Sequence, residues 1–164
     1  MKPILVSVLS VFACATLLNW VQPVQPAQAR PYELNTPEAR ALAGVIDMVL
    51  TAHSKKDLNL LMAQFHPDVK ALWSNDKQMN SFEELKQTYK DSFLGYKGFS
   101  GSWLPEYVDI EGNMAWMIGE TSWSAHALDT GRPIQLTVRS TYILRKVEER
   151  WQIVLEHSSH RRSD

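Results

Sequence analysis

Three residues in the last third of the chain have side chains suited to chemistry: Glu120, Arg139 and His157. A guanidinium is a fixed cation with forked donors, and an imidazole titrates near neutrality. Both fall in segments that read as strands, where alternate residues share a face. Thr137, Arg139, Thr141 and Ile143 point one way; Leu136, Val138, Ser140, Tyr142 and Leu144 point the other. On the last strand Trp151, Ile153, Leu155, His157 and Ser159 are expected on one face. If Arg139 and His157 lie on a concave side, together they suit a small carboxylate or another polar anion. The alternative is structural: Arg139 pairs with a carboxylate such as Glu120 or Glu156, and His157 caps a hydrogen-bond network.

Glu120 is the candidate general base. It lies midway along a long strand, in phase with Trp116, Ile118 and Ser122. An apolar wall would lift its pKa toward neutrality, as proton transfer requires; a salt-bridged strand glutamate is the competing reading. Trp73, Trp103, Trp123 and Tyr89 are the aromatic candidates for a ligand wall, against the plainer role of core packing. The five histidines are His53, His66, His126, His157 and His160. Only the last two are close in sequence, and their spacing on a strand sets them on opposite faces. No metal site and no cofactor are expected.

The elements that must position these residues follow from periodicity. Thr36-Pro37-Glu38 reads as a helix start, and Leu42, Val45, Ile46, Val49 and Leu50 recur at helical spacing to about His53. Asp57 caps a shorter helix that ends at His66-Pro67-Asp68. Val69 to Ser74 reads as a strand and Asn75 to Asn80 as a loop. Ser81-Phe82-Glu83-Glu84 is a capping box opening a helix to about Phe93. Gly95, Gly98 and Gly101 loosen the chain. The period then changes to strands at 103–110, 114–128, 134–147 and 150–159, with turns at Glu111-Gly112-Asn113, Asp129 to Pro133, and Glu148-Glu149. Pro105 marks an edge or a bulge. Helices first and an antiparallel meander after argue α+β, with helices on one face of a curved sheet.

The hairpin RSTYILRKVEERWQIVLEHSS resembles a signature of the SnoaL-like families in the nuclear transport factor 2-like superfamily, through Arg139, Thr141, Trp151, Ile153, His157 and Ser159. It is similar also to the calcium/calmodulin-dependent protein kinase association domain, at Trp151-Gln152 and His157-x-Ser159. The likeness covers about residues 36–160. It implies a cone-shaped (cystatin-like) α+β fold: N-terminal helices on a bent antiparallel sheet around a central pocket. A small-molecule ligand and a homodimer are the partners it implies. Some members are isomerases, dehydratases or cyclases, and others are oligomerisation modules, so fold does not assign activity. Ketosteroid-isomerase-like members carry an acidic base on the first strand; Trp73 stands where that residue is expected, and Asp76 lies beyond it.

Composition sets the outer bounds. The 164 residues carry 17 Lys+Arg and 18 Asp+Glu, net −1, which gives no basic field for nucleic acid. Residues 1–29 read as a secretory signal, with Lys2, an apolar run from Ile4 to Val21 and Ala27-Gln28-Ala29 before Arg30. Retention as a membrane anchor and lipidation at Cys14 are the alternatives. Cleavage would leave a single exported domain at 30–164, periplasmic or secreted and off the membrane. It would have 16 basic and 18 acidic side chains and no cysteine, because Cys14 leaves with the signal.

Overall fold

The computed structural model describes residues 36–160. The 1–29 segment, the tail at 30–35 and the Arg161-Arg162 pair lie outside that range. Helix α1 (Pro37–Lys55) begins where the sequence expects, with Ala39 N–H donating to Thr36 Oγ1 at 3.1 Å and Pro37 in the first turn. It buries Leu42, Val45, Ile46 and Val49 as one stripe, continued by Ala52 and His53. Its end is set by Lys56, whose left-handed conformation returns its N–H to Ala52 and His53 carbonyls. Asp57 Oδ1 accepts from Leu60 N–H and starts α2 (Leu58–Met62). Ser81 caps α3 (Phe82–Gly95) through Glu84 N–H; the Glu84 carboxylate reaches back to Asn80 N–H, one residue before the cap.

Six strands form one sheet in the order β2-β1-β6-β5-β4-β3. These are β1 (Phe65–Leu72), β2 (Gln78–Met79), β3 (Tyr96–Glu111), β4 (Met114–Ala127), β5 (Pro133–Val147) and β6 (Arg150–His160). The α+β class and the helices-then-meander order hold. The sheet itself is mixed, correcting the antiparallel expectation: β1 runs parallel to β6, pairing Ala71 with Glu156 and Leu72 with His157. β1 also starts earlier than expected, because Phe65 pairs with Ile153 while Pro67 falls within an irregular stretch that asks no ladder bond of it. β2 was expected as loop, but Met79 is 1% exposed and anchors a two-residue strand against β1. β3 begins at Tyr96, directly after α3. The expected irregularity at Pro105 is present as a register shift between Pro105 and Tyr107 on this edge strand.

One irregularity sets which side chains face the helices. Between β5 and β6 the register slips: Ile143 pairs with Leu155, but Leu144 pairs with Ile153. Val154 is therefore an extra residue, a β-bulge. Before it, Trp151 and Ile153 point inward and are buried. After it the inward phase moves by one residue, to Glu156, Ser158 and His160, in line with Tyr142, Ser140 and Val138 on β5. The face expected to run through Leu155, His157 and Ser159 is thus broken at Val154, and those three residues turn outward.

The core is one cluster joining α1, α2, α3 and the inner sheet face, with Leu42, Ile46, Leu61, Phe65, Leu85, Met117, Leu144 and Ile153 among its members. Trp103 packs edge-on to Tyr142, ring centroids 5.4 Å apart, and its indole lies across Gly119. A Cβ at Gly119 would sit 2.3 Å from the Leu104 carbonyl and 2.7 Å from the Trp103 ring. At Gly44 on α1 a Cβ meets nothing within 4 Å. Gly119→Ala should therefore cost about 1–3 kcal/mol, while Gly44→Ala should gain roughly 0.5–1 kcal/mol from helix propensity. Urea midpoints of the two variants against the parent check both signs.

Candidate functional site

A cavity of about 370 Å³ lies between the inner sheet face and the helices, within the range of roughly 300–1,000 Å³ usual for ligand pockets. Its walls are mostly apolar and aromatic. α1 supplies Val49 and His53, α3 supplies Tyr89 and Ser92, and β3 supplies Tyr96 and Phe99. β4 and β5 add Trp123, Leu136, Val138 and Tyr142; the turn after β1 adds Trp73, Ser74 and Asn75; β6 adds Glu156, Ser158 and His160. Among the described residues no Lys or Arg lines it.

The acidic group in this cavity is Glu156. Its Oε2 accepts from the Tyr89 hydroxyl at 2.8 Å. Trp73 Nε1 is buried beside it without completing a bond of good geometry, yet still favours the charged carboxyl. Burial dominates, and the Glu156 carboxyl is pushed from its ordinary 4.5 up to about 7, against the downward pull of Tyr89 and Trp73. Burial, then the neighbouring carboxylate, pushes the Tyr89 hydroxyl well above its usual range. Tyr142, across the β5–β6 ladder from Glu156, is raised for the same two reasons. The Tyr142 hydroxyl also meets the hydroxyls of Thr121 and Ser140, which are 2.9 Å apart.

His53 faces the same cavity from α1. Its Nδ1–H donates to the Val49 carbonyl at 2.8 Å. Four rings enclose it, with centroids at 4.6 Å (Trp123), 5.2 Å (Tyr89), 5.6 Å (Phe93) and 6.0 Å (Phe99). Burial lowers it from 6.5 to about 4 in spite of the Val49 bond, so it is a neutral imidazole over the physiological range.

The residues expected to do chemistry are distributed differently. Arg139 and His157 do not meet in the cavity. Arg139 is exposed on the outer sheet face, where its guanidinium pairs with Glu106 at 3.1 Å. Glu120 stands opposite Arg139 in the β4–β5 ladder, on that same outer face. His157 is turned outward by the Val154 bulge, opposite Thr141. Trp103 is a packing residue against Tyr142 and Gly119 and is not in the cavity wall. Trp73, Trp123 and Tyr89 do line the cavity. In the sequence Glu156 reads only as a structural partner of Arg139, and His53 only as one of five histidines; the aromatic residues around each come from three different segments of the chain, so no local spacing marks them. Among the described residues, no group of three His, Cys, Asp or Glu is placed to hold a metal ion.

Three helices on a bent sheet with a cavity between them define a nuclear transport factor 2-like fold. A protein from Xanthomonas campestris, provisionally described as a calcium/calmodulin dependent protein kinase II association domain, superposes with a TM-score of 0.69 at 17% identity, over 86% of this chain and all of that one. A ketosteroid isomerase-like protein from Erwinia carotovora gives 0.68 at 18% identity, over 78% and 99% of the two chains. A nuclear transport factor 2-like superfamily protein from Salmonella enterica gives 0.69 at 18%, over 76% and 91%. The model of the SnoaL-like domain matches residues 42–162, and the chain belongs to that family. No curated protein matches it.

Glu156 and His53 have opposite effects on stability. A carboxyl raised to about 7 holds its proton in the folded state where the unfolded chain has lost it, so its contribution is full below 4.5 and is lost as pH rises toward 7. An imidazole lowered to about 4 does the reverse: its contribution is full above 6.5 and is lost as pH falls toward 4. The two slopes nearly cancel between pH 4.5 and 6.5. Glu156→Gln should make stability climb across that window relative to the parent, and His53→Phe should make it fall, each by roughly 2–3 kcal/mol. Urea unfolding of the three proteins at the two pH values reads the difference directly.

Proposed function

We propose that the chain binds a small, largely apolar molecule in this cavity and moves a proton on it with Glu156, in a reaction of the isomerase or dehydratase type. The observation that carries this reading is a single carboxyl group, hydrogen-bonded to Tyr89, on the wall of an aromatic cavity that has room for a ligand. A base for carbon acids works best with a pKa near the working pH, and burial brings Glu156 to about 7. In the forward step the carboxylate takes a proton from a carbon next to a carbonyl. The electron pair of that C–H bond moves into the carbonyl as an enolate, and the carboxyl group then returns a proton, the same one or one exchanged with solvent, to a carbon of the enolate. Tyr89 holds the carboxyl in place throughout. The role first considered for Glu120 or His157 passes to Glu156 in this proposal. Binding without turnover is the simpler form of the same reading, and it uses the same walls.

The proposal also carries the expected setting: an exported protein, freed of residues 1–29, that works as a homodimer. The outer sheet face, with Trp116, Ile118, Ile143 and Leu155 half-buried, supports pairing as its means of assembly. Light scattering on the 30–164 protein tests the dimer, and mass measurement of the exported chain tests cleavage before Arg30.

The catalytic reading is tested by deuterium exchange from D2O into 1-tetralone, a neutral ring ketone, followed by NMR. The protein should accelerate exchange, with the rate rising through about pH 7 as Glu156 ionises. Glu156→Gln should lower it by roughly 10²–10⁴-fold. Exchange that is unchanged in Glu156→Gln removes Glu156 as the base. Arg139→Ala and His157→Ala should keep the parent rate within about twofold, since both side chains lie on the far face of the sheet.

A further inference from the structure

We infer that His53 is a specificity-determining hydrogen-bond acceptor in the cavity, and that the ligand class is a neutral, flat ring compound carrying a hydroxyl group. The inference rests on reading the cavity as a ligand site and names what that site would select.

A backbone carbonyl can only accept, so the 2.8 Å contact between Nδ1 and the Val49 oxygen places a proton on Nδ1. In a neutral ring the other nitrogen, Nε2, is then a lone pair. The ring cannot turn to hide that lone pair, because Trp123, Tyr89, Phe93 and Phe99 hold it from four directions. Phe93 and Phe99 have no proton to give, the Tyr89 hydroxyl is already donated to Glu156, and the Trp123 indole, though its ring is nearest, makes no hydrogen bond to the imidazole. Nε2 is therefore an acceptor on a residue of the cavity wall that none of these neighbours serves, and a ligand O–H can use it.

The rest of the cavity sets the remaining properties of the ligand. Trp73, Tyr89, Tyr96, Phe99 and Trp123 present ring surfaces, which favour stacking with another ring. The titratable groups in its wall are His53 on α1, Tyr89 on α3, Tyr96 on β3, Tyr142 on β5, and Glu156 and His160 on β6. With no Lys or Arg among the described lining residues, a carboxylate ligand would enter without a fixed counter-charge and beside a carboxyl group. That favours a hydroxyl-bearing neutral molecule over the carboxylate first considered.

Protein-observed NMR titration at about pH 6 separates the possibilities, using 2-naphthol, 2-methylnaphthalene and 2-naphthoate as probes of similar shape. 2-Naphthol should bind roughly tenfold tighter than 2-methylnaphthalene, the worth of about one well-made hydrogen bond, and 2-naphthoate should bind more weakly than 2-naphthol. His53→Phe should abolish the preference for the hydroxyl while keeping 2-methylnaphthalene affinity, and His53→Gln, which restores a side-chain acceptor, should recover part of it. A readout independent of any variant is the ¹⁵N resonance of His53 Nε2, which should move on adding 2-naphthol and stay in place with 2-methylnaphthalene. Equal binding of the first two probes, a preference that survives in His53→Phe, an Nε2 signal indifferent to 2-naphthol, or tightest binding by 2-naphthoate would each overturn this inference and leave the cavity reading standing. If no probe shifts a cavity resonance, the ligand-site reading falls and the inference with it.

Discussion

One extra residue in β6 decides the chemistry of the interior. Strand alternation has a period of two, so an insertion of one residue exchanges the faces of everything that follows it. Val154 is that insertion. Upstream of it, Trp151 and Ile153 close the core beneath α1 and α2; downstream, Glu156 takes the inward phase and His157 the outward one. The parallel pairing with β1 holds the bulged strand in place, since Ala71 is in register with Glu156. Were Val154 paired as an ordinary ladder residue, with no bulge, the same strand would present an imidazole to the cavity and leave the carboxyl in solvent. The pairing of Tyr89 with Glu156, and the rise of that carboxyl toward neutrality, both depend on this phase.

The molecule separates charge from aromatic surface across the thickness of one sheet. On the outer face Arg139 pairs with Glu106, and Glu120 stands opposite Arg139 in the ladder, where water keeps the desolvation cost of each charge small. On the inner face the titratable groups are held by hydroxyls and rings. Tyr142 meets Thr121 and Ser140, Tyr89 meets Glu156, and His53 meets a backbone carbonyl. Gly119 belongs to the same arrangement, because its missing side chain lets Trp103 cross β4 and brace Tyr142 from below the cavity.

The elements were legible in the sequence wherever local rules fix them. Thr36, Asp57 and Ser81 mark helix starts through bonds made within three residues, and the hairpins at Gly112 and Glu148-Glu149 follow from turn chemistry. The phase of β5 was legible for the same reason: no bulge interrupts its pairing with β4. What could not be read was non-local. A bulge is specified by the partner strand and the core beneath it, and nothing in the run Gln152-Ile153-Val154-Leu155 marks one of them as extra. The parallel β1–β6 contact joins segments more than eighty residues apart, and Met79 becomes a strand residue only because β1 is there to receive it. The family resemblance supplied the architecture, but the positions it weighted, Arg139 and His157, belong to the hairpin that defines the fold and face away from the cavity.

The two perturbed groups in the cavity have one physical cause and opposite results. Desolvation disfavours the charged form of either, which lifts a carboxyl and lowers an imidazole. Glu156 therefore tends toward the protonated acid, and His53 toward the neutral base. Between about pH 4 and 7 both are uncharged. A cavity with walls of Trp73, Tyr89 and Trp123 can then hold a donor and an acceptor without a buried counter-ion and without the salt bridge that a buried charge would demand. Above that range only Glu156 changes, and it does so on a site whose other polar partner stays neutral. Glu156 can consequently exchange a proton with its charge changing near neutrality inside the cavity, and this makes the inward turn of β6 at Val154 a chemical choice as well as a packing one.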